Sequence, residues 1–367
     1  MIASLMNPSL QQKLDHYLDH YNDRLIACIS VLTAVMVTLF FSLALLVAKP
    51  AQAAEACGGT NLLAGITDQK LLAEIETEAA KRPNGNGLLW RISKDGLPDS
   101  FLFGTMHVTD PRVLNLPANA QAAFNESKLL VIETTDVLDP AKASAAMLKR
   151  PELMMFTDGS NLEQLIPAED IKLVNDELTS RGMPLGAVKM MKPWMLAAML
   201  ATPACEAARK GDGIEILDIS LATRAKNAGK PIEGLETMEE QIGAMASLPM
   251  KDHIKSLVET LRMADKTDDV FETMIALYAE GNTARIMPAL GAALKSESKP
   301  ETADDLAVQA AFEEKMITNR NTTMASRLPE HLAKGGAFVA IGALHLAGDL
   351  GVIEQLRKAG YTLSAVQ

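Results

Sequence analysis

The chain has 367 residues, of which 48% are hydrophobic and 22% are charged, and its formal net charge is −11. This composition is typical of a globular protein with a sizeable core, arranged as one large domain or two ordinary ones. The acidic balance and the lack of any cluster of Lys and Arg argue against a nucleic-acid partner, because phosphate binding requires clustered cations.

The first 53 residues are predicted to lie outside the folded domain. Residues 25–48 form a run of 24 residues without a charge, which is long enough to cross a bilayer as a helix. Ala51-Gln52-Ala53 follows this run and matches an A-x-A signal-peptidase site. The segment is therefore interpreted as a cleaved signal peptide or as an uncleaved membrane anchor. Both interpretations predict that residues 54–367 are exported, to the periplasm or the extracellular space.

Two cysteines, Cys57 and Cys205, remain once Cys28 of the apolar run is set aside. In an oxidising compartment, two remaining cysteines indicate one disulfide. Two free buried thiols are the alternative. We do not expect this pair to bind a metal, because neither cysteine has a Cys or His nearby at the spacing of metal ligands.

The exported part begins with alternating helices and strands. Apolar residues recur with the period of a helix over residues 61–81. Residues 88–93 and 101–108 are predicted strands joined by a turn-rich segment, which indicates a β-hairpin. A short predicted helix at 116–127 leads into the apolar run 128–135, which has the length of a buried strand.

The rest of the chain is mostly helical until its end. The predicted elements are helices over most of 140–227, a strand at 230–236, a helix at 236–245, helices over most of 251–327, a strand at 337–346, a helix at 348–360 and a strand at 361–366. Strands therefore cluster at the two ends, and no linker indicates a domain boundary. This order predicts one α/β domain over residues 54–367, with a mixed central sheet and a large helical insertion.

The pattern Gly-x-x-His follows an apolar run twice, at Gly104–His107 and at Gly342–His345. In an α/β sheet, ligands bind beyond the carboxyl ends of the strands, and glycine lets the backbone turn or a ligand approach closely. We expect a larger side chain at Gly104 or at Gly342 to fill the space that the ligand needs. A histidine three positions later can bind a metal or carry a proton. The repeat therefore predicts one shared site. The other four histidines lack this context and are predicted to be surface residues: His16, His20, His253 and His331.

Two carboxylates, Glu133 and Glu236, also end predicted strands. Buried there, each would need a cation, a metal or a hydrogen-bond donor; alternatively, one or both cap the next helix. Two histidines and one carboxylate form a known catalytic metal set. We therefore predict that His107, His345 and Glu133 hold a divalent metal, or that the two histidines hold it with Glu133 as base. The activated water would attack an amide or ester carbonyl, and Glu133 or Glu236 would take the proton.

Four segments resemble the TraB/PrgY/GumN family, which includes the TIKI metalloproteases: FLFGTMHV, LLVIETT, LDISLATRAKNAGKPIEGLET and AFVAIGALHLAGDLGVIEQLRKAGY. The resemblance runs from about residue 57 to residue 366. ACGGTNLL and KPWMLA are similar to bacterial GumN-type members. The resemblance implies a divalent-metal-dependent hydrolase, acting on peptide bonds, with a core related to erythromycin esterase and the haem-binding ChaN-like proteins.

The same resemblance implies roles for individual residues. His107 and His345 match the motif histidines, and Glu133 matches the acidic partner. Asp218, Glu236 and Arg320 match further polar positions of the family. Glu236 is predicted to be catalytic, and Asp218 and Arg320 are predicted to support the site.

A serine hydrolase and a zincin are not indicated, because the chain contains neither a G-x-S-x-G nucleophile elbow nor an HExxH helix. The expected partner is a peptide or a small-molecule substrate, with a divalent ion such as Mn, Co or Zn as cofactor. Contact with a membrane is expected through the N-terminal segment alone. The alternative function is a non-catalytic protein that binds haem, a metal ion or a signalling peptide through the same histidines.

Overall fold

Six strands form one mixed sheet in the order β4-β3-β5-β2-β1-β6. The computed structural model describes residues 57–295 and 302–366. β1 is antiparallel to both of its neighbours, and the remaining pairs are parallel. The strands are β1 Leu89–Ser93, β2 Ser100–Thr105, β3 Leu129–Ile132, β4 Ile232–Gly234, β5 Ala337–Gly342 and β6 Thr362–Ala365.

The adjacent strands β4, β3, β5 and β2 all run in the same direction, so that their carboxyl ends meet at one edge of the sheet. Thr105 at the end of β2 pairs with Gly342 at the end of β5. Ile132 at the end of β3 pairs with Ala340 of β5 and with Gly234 of β4. The segments that follow these four strands therefore begin side by side, where the sequence predicts a site.

Seventeen α-helices occur in the described part of the chain, and short 3₁₀ turns and one π-helical segment, Glu313–Thr318, join some of them. The helices are α1 Gln69–Ala80, α2 Pro111–Leu114, α3 Ala118–Glu126, α4 Pro140–Lys149, α5 Leu162–Leu165, α6 Ile171–Ser180, α7 Leu185–Val188, α8 Pro193–Leu200, α9 Ala204–Gly211, α10 Leu217–Asn227, α11 Met238–Ala246, α12 Met250–Arg262, α13 Thr267–Ala279, α14 Ile286–Lys295, α15 Ala303–Phe312, α16 Asn319–Leu332 and α17 Val352–Lys358.

Both faces of the sheet are buried, because successive side chains along each strand point to opposite faces and both sets are apolar. Phe103, Leu130 and Phe338 pack with Leu221 of α10 and Tyr278 of α13 in one core cluster. A second cluster contains side chains from the same strands and from two other helices: Leu102, Val131, Val339, Leu328 of α16 and Ile353 of α17. The predicted α/β class with a mixed sheet is confirmed.

The helical insertion has a core of its own. Leu178, Leu196 and Leu257, from α6, α8 and α12, are fully buried in a cluster that contains no strand residue. Residues 56–367 nevertheless belong to one compact unit. The predicted boundary at residue 53 lies outside the described residues, and no helix in the described part is long and apolar enough to span a bilayer.

Three predicted elements are shorter than their sequence patterns suggested. The helix predicted at 61–81 is interrupted by Asp68, whose carboxylate accepts hydrogen bonds from the first backbone N–H groups of α1. A 3₁₀ turn, Leu62–Gly65, precedes this cap. The strands predicted at 101–108 and 337–346 end at Thr105 and Gly342, so that both motif histidines lie just beyond the sheet.

The predicted disulfide is confirmed. Cys57 and Cys205 are bonded, with their Cα atoms 5.4 Å apart. The alternative of two free buried thiols is therefore wrong. The bond joins the start of the described chain to α9 in the helical insertion.

Candidate active site

Four predicted site residues meet at the carboxyl edge of the sheet. His107 follows β2, Glu133 directly follows β3, Glu236 follows β4 and His345 follows β5. Glu133 lies at the centre, with its Oε1 atom 3.9 Å from Nε2 of His107. Arg320 of α16 contacts both Glu133 and Glu236.

His107 is oriented by Asp218, in the first turn of α10. Nδ1 of the ring lies 2.7 Å from Oδ2 of Asp218, and the hydroxyl of Thr105 donates to the other carboxylate oxygen at 2.7 Å. A carboxylate that accepts the Nδ1 proton fixes the tautomer and leaves Nε2 for a ligand. Nε2 is the ring nitrogen that faces Glu133. Asp218 therefore holds the ring of His107 in place.

His345 is oriented in a similar way by a different type of residue. It lies in the 3₁₀ turn Ala343–His345, with Nδ1 2.7 Å from Oδ1 of Asn321. The amide nitrogen of Asn321 donates to the carbonyl oxygen of Leu350, which fixes the amide oxygen toward the ring. Nδ1 of His345 must then carry the proton, and Nε2 keeps a free lone pair.

The two rings have opposite shifts in pKa. Burial lowers the pKa of His345 to about 4, and the nearby charges of Arg320 and His107 add to this effect against that of Glu133. Partial desolvation also disfavours a charge on the His107 ring, but the hydrogen bond and the charge of Asp218 outweigh this effect and raise the pKa to about 9. Without a metal, His345 is therefore neutral at pH 7 and His107 is protonated.

Glu133 is buried, and every side of its carboxylate has a hydrogen-bond donor. Oε1 accepts the backbone N–H of Gly342 at 2.7 Å, and Oε2 accepts Arg320 at 2.6 Å and Gln241 at 3.1 Å. Burial alone would raise the pKa of Glu133, but the charges of His345, His107 and Arg320 and the Gly342 N–H lower it to about 2. Because His345 is neutral at pH 7, His107 and Arg320 are the cations that keep Glu133 ionised there.

Glu236 shares two hydrogen-bond donors with Glu133, namely Arg320 and Gln241. Its Oε2 accepts Nη2 of Arg320 at 2.7 Å and the amide of Gln241 at 3.3 Å. The helix-cap alternative is wrong for both glutamates. The side chain of Thr134 caps the turn after β3, and that of Thr237 caps α11.

The two motif glycines serve different purposes. A Cβ atom on Gly342 would lie 3.1 Å from Oε1 of Glu133 and 3.3 Å from the ring of His345, so this glycine leaves space inside the site. A Cβ on Gly104 would instead lie 2.9 Å from the Cβ of Ala343. Gly104 therefore allows the turn after β5 to pack against β2. The expectation that Gly104 leaves room for a ligand is wrong.

The prediction that His253 is a surface residue is also wrong. Its ring is buried, and Nε2 lies 3.0 Å from the carbonyl oxygen of Met245. His253, Leu257 and Leu261 are spaced by four residues and share the buried face of α12. That spacing is the sequence signal that could have identified it. His331 is half-buried, and the other two histidines lie outside the described residues.

The donor atoms suit a divalent ion, although no complete ligand set is preformed. Among residues 57–295 and 302–366, no three His, Cys, Asp or Glu side chains already stand at the spacing of a metal site. Nε2 of His107, Nε2 of His345 and the carboxylate of Glu133 are nevertheless the atom types that Zn²⁺ and related ions prefer. Each histidine also has its other ring nitrogen held, as ligating histidines usually do. The full coordination geometry would therefore form on binding.

Several residues of the site could not be identified from sequence. Asn321, Gln241 and Thr105 hold His345, the two glutamates and Asp218, respectively. Two of them are next to predicted site residues in the sequence, which is the local signal that could have identified them. Thr105 lies inside the first Gly-x-x-His motif, and Asn321 directly follows Arg320. Gln241 lies on an amphipathic helix and has no signal of its own.

Comparison with known proteins gives a consistent picture. A family model described as the TraB/PrgY/gumN family matches residues 88–365. The chain is similar to Metalloprotease TIKI1 of Danio rerio, with 28% identity over 318 residues that cover 75% of this chain and 62% of the relative. It is 25% identical to Metalloprotease TIKI1 of Homo sapiens over 320 residues, covering 75% of this chain and 61% of the relative.

A third relative, the Metalloprotease TIKI homolog of Nematostella vectensis, is 23% identical over 357 residues, which cover 83% of this chain and 74% of the relative. The chain spans about three fifths of the length of the first two relatives, 62% and 61%. No solved structure matches the chain.

Proposed function

The chain belongs to the TraB/PrgY/gumN family, and from that premise we propose that it is a divalent-metal-dependent hydrolase of peptide amide bonds. One observation carries the proposal. Two histidines, His107 and His345, each have Nδ1 held by a neighbour, and both rings flank the ionised carboxylate of Glu133. Relatives of the chain bear the name metalloprotease, which agrees with this donor set.

Each residue of the site has a definite part in the proposed reaction. When bound, a divalent ion would supply Lewis-acid activation of water and of the scissile carbonyl. His107, His345 and Glu133 would hold it. Alternatively, the two histidines would hold it, and Glu133, which is ionised at neutral pH, would take a proton from the attacking water. Glu236 is the other carboxylate that could take this proton. Arg320 forms ion pairs with both Glu133 and Glu236, so that its single positive charge offsets part of the cost of burying two carboxylates.

The test is metal-dependent turnover of a peptide library. The purified chain is stripped with a chelator, loaded separately with Mn²⁺, Co²⁺ or Zn²⁺, and assayed by mass spectrometry. We expect cleavage with at least one ion, and a loss of at least about 100-fold in His107→Ala and in His345→Ala, since changes to a metal-binding residue cost more than changes to its supports.

His331→Ala is the matched control, because His331 is half-buried and lies outside the site. His253 is unsuitable as a control, because it is buried. Cleavage that persists in the chelated protein, or that is equal in all three variants, would contradict the proposal.

Binding without turnover is the second candidate. The observation that favours it is that Arg320 already occupies Oε2 of Glu133, which makes this carboxylate a weak base. A Soret band on haem titration, or a tightly held ion or signalling peptide without any cleavage, would support a binding protein. Loss of that binding in both histidine variants would assign it to the same site.

We also propose that the protein is exported. Support comes from the A-x-A sequence at residues 51–53 and from the Cys57–Cys205 disulfide, since disulfides persist mainly in oxidising compartments.

A further inference from the structure

The segment that carries His107 is held from two sides by helices that do not form the site. It leaves β2 after Thr105 and runs to Arg112, in the short helix α2. The side chain of His107 is 54% exposed, and the segment has no strand partner beyond Thr105. Its position therefore depends on side-chain contacts. His345, in contrast, is buried and receives its partner from α16.

Glu206 of helix α9 binds the middle of the segment. This glutamate is 2% exposed, and its two oxygens accept the backbone N–H and the hydroxyl of Thr109 at 2.8 and 2.7 Å. Thr109 is two residues beyond His107. Hydrogen bonds to a buried carboxylate are short and strong, and a pair of them fixes orientation as well as distance. Lys210, one turn further along α9, lies 3.4 Å from the same carboxylate and balances its charge.

Helix α13 holds the chain just before the segment, at Gly104, and at the end of the segment, at Arg112. The hydroxyl of Tyr278 donates to the carbonyl oxygen of Gly104 at 2.8 Å. Glu272 accepts two hydrogen bonds from Arg112, at 2.8 and 2.7 Å. The segment is thus fixed before and after His107 by α13, and between those points by α9.

The disulfide links α9 to the chain segment after Cys57, and this segment contacts α13. Cys205 lies in α9 directly before Glu206, and it is bonded to Cys57. The residues after Cys57 lie on α13. Thr60 donates through its N–H and its hydroxyl to Asp269, and the N–H of Leu62 donates to Thr273.

We propose that Glu206 is a positioning residue for His107, and that the Cys57–Cys205 disulfide keeps Glu206 in place by joining α9 to the chain segment seated on α13. This proposal rests on the proposed function, in which the ring of His107 has to be well placed to hold the metal. Among the described residues, neither Glu206 nor the disulfide has a hydrogen bond or ion pair with Glu133, His345 or Arg320. We therefore expect both to affect the position of His107 and not that of His345.

The hydrogen bond to Asp218 limits the motion of the His107 ring. This bond persists only if the backbone at residues 106–109 stays in place. A ligand-binding side chain has to be held within about 0.5 Å of its productive position. When Thr109 is released from Glu206, the segment gains backbone freedom and the ring is no longer fixed.

The experiment compares three variants of the full chain with a matched control. Glu206→Ala removes both acceptors, Glu206→Gln keeps a polar partner for Thr109, and the double change Cys57→Ser and Cys205→Ser removes the covalent link. Asp170→Asn is the control: Asp170 is a mostly buried carboxylate that pairs with Arg262 in the helical insertion. Amide hydrogen exchange, the ¹⁵N shift of His107 Nδ1 and Zn²⁺ affinity are measured in each.

We expect exchange at residues 106–112 to accelerate by about tenfold or more in Glu206→Ala and in the double variant, relative to residues 343–347, where exchange should change only as far as the global stability changes. The Nδ1 shift should move toward that of a ring without a carboxylate partner, and Zn²⁺ should bind about tenfold more weakly. Glu206→Gln should recover most of these losses, and Asp170→Asn should show none of them. If Glu206→Ala does not fold, the double variant carries the same comparison.

Two results would overturn the proposal: unchanged exchange at residues 106–112 in the folded variants, or equal acceleration at both histidine segments. A wild-type chain that binds no Zn²⁺ and cleaves nothing would contradict the proposed function alone. In that case, selective loosening of residues 106–112 and the altered His107 shift would still establish the positioning role.

Discussion

At the scale of single residues, two copies of one short motif produce two different histidines. His107 donates to a carboxylate and has a raised pKa, whereas His345 donates to a neutral amide and has a lowered one. The charge of Asp218 is what separates them, because a nearby anion favours the protonated ring and an amide does not. In the metal-free protein, the site thus contains one charged and one neutral imidazole.

The raised pKa of His107 predicts how the stability of the metal-free protein depends on pH. The pKa is 6.5 in the unfolded chain and about 9 in the folded one, so the contribution of this group is complete below pH 6.5 and is lost as the pH rises through 9. Because the side chain is 54% exposed, solvent screening reduces the contribution to about 1 kcal/mol. Urea unfolding in a chelator at pH 6, 7.5 and 9 should show this decline. An equal decline in His107→Gln would rule out this residue as its source.

The two glycines should respond differently to the same small change. Gly342→Ala brings a methyl group against Glu133 and His345 and should weaken metal binding by about tenfold, with little loss of stability. Gly104→Ala presses on Ala343 and should lower the free energy of unfolding by about 1–3 kcal/mol. Thermal unfolding and metal titration of both variants separate the two effects. A larger loss of stability in Gly342→Ala than in Gly104→Ala would be inconsistent with these packing assignments.

At the scale of secondary-structure elements, the site depends on where two helices begin. Helix α16 follows the π-helical segment Glu313–Thr318 without a break, and it presents Arg320 and Asn321 in its first turn. Helix α11 starts directly after Glu236 and carries Gln241, which contacts both glutamates. Since π-helical insertions often occur next to functional sites, the segment before α16 agrees with a site at this edge.

The start of α11 provides a test at this scale. Thr237 and Glu240 form a capping box, in which each side chain accepts from the backbone N–H of the other residue. Thr237→Ala should cost about 1 kcal/mol of stability and should also weaken metal binding, because fraying of α11 releases Gln241. Chemical unfolding and metal titration measure the two effects.

Thr302→Ala is the matched control, since Thr302 and Asp305 form the same box at α15, a helix without buried residues. Equal metal affinity in the two variants would indicate that Gln241 is not held by this cap.

At the scale of the whole molecule, the disulfide is the strongest single constraint on the unfolded chain. It joins residues 148 positions apart, and in the chain-entropy model such a loop contributes about 5 kcal/mol. The double change Cys57→Ser and Cys205→Ser should therefore lower the free energy of unfolding by up to that amount. Urea titrations of the wild-type and double-variant chains measure it. An unchanged urea midpoint would show that the link does not constrain the unfolded ensemble.

Export gives a further prediction at the whole-molecule scale. The A-x-A sequence at residues 51–53 predicts that the mature chain begins at or near Ala54. N-terminal sequencing of the exported protein would measure this. Met1 on membrane-bound material would instead indicate an anchor, and a soluble cytoplasmic protein would contradict both interpretations.

The sequence by itself determined the fold class and the principal residues at the sheet edge, although two strands end earlier than their patterns suggested. These features follow from local patterns. An apolar run of strand length ends where Gly342 or Glu133 stands, and parallel strands bring their carboxyl ends to a common edge. The β1–β2 hairpin and the disulfide were predictable for similarly simple reasons, namely a turn-rich connection and two cysteines left in the exported part.

Tertiary structure alone decided which side chains hold those residues. Asn321 meets His345 across 24 residues, Gln241 meets Glu133 across 108 and Glu206 meets Thr109 across 97. No local period encodes such pairs, because each depends on how separate helices pack against the sheet. The role of Gly104 was mistaken for the same reason, whereas the burial of His253 is signalled by its four-residue spacing with Leu257 and Leu261. Space and exposure belong to neighbours that the chain brings together only when it folds.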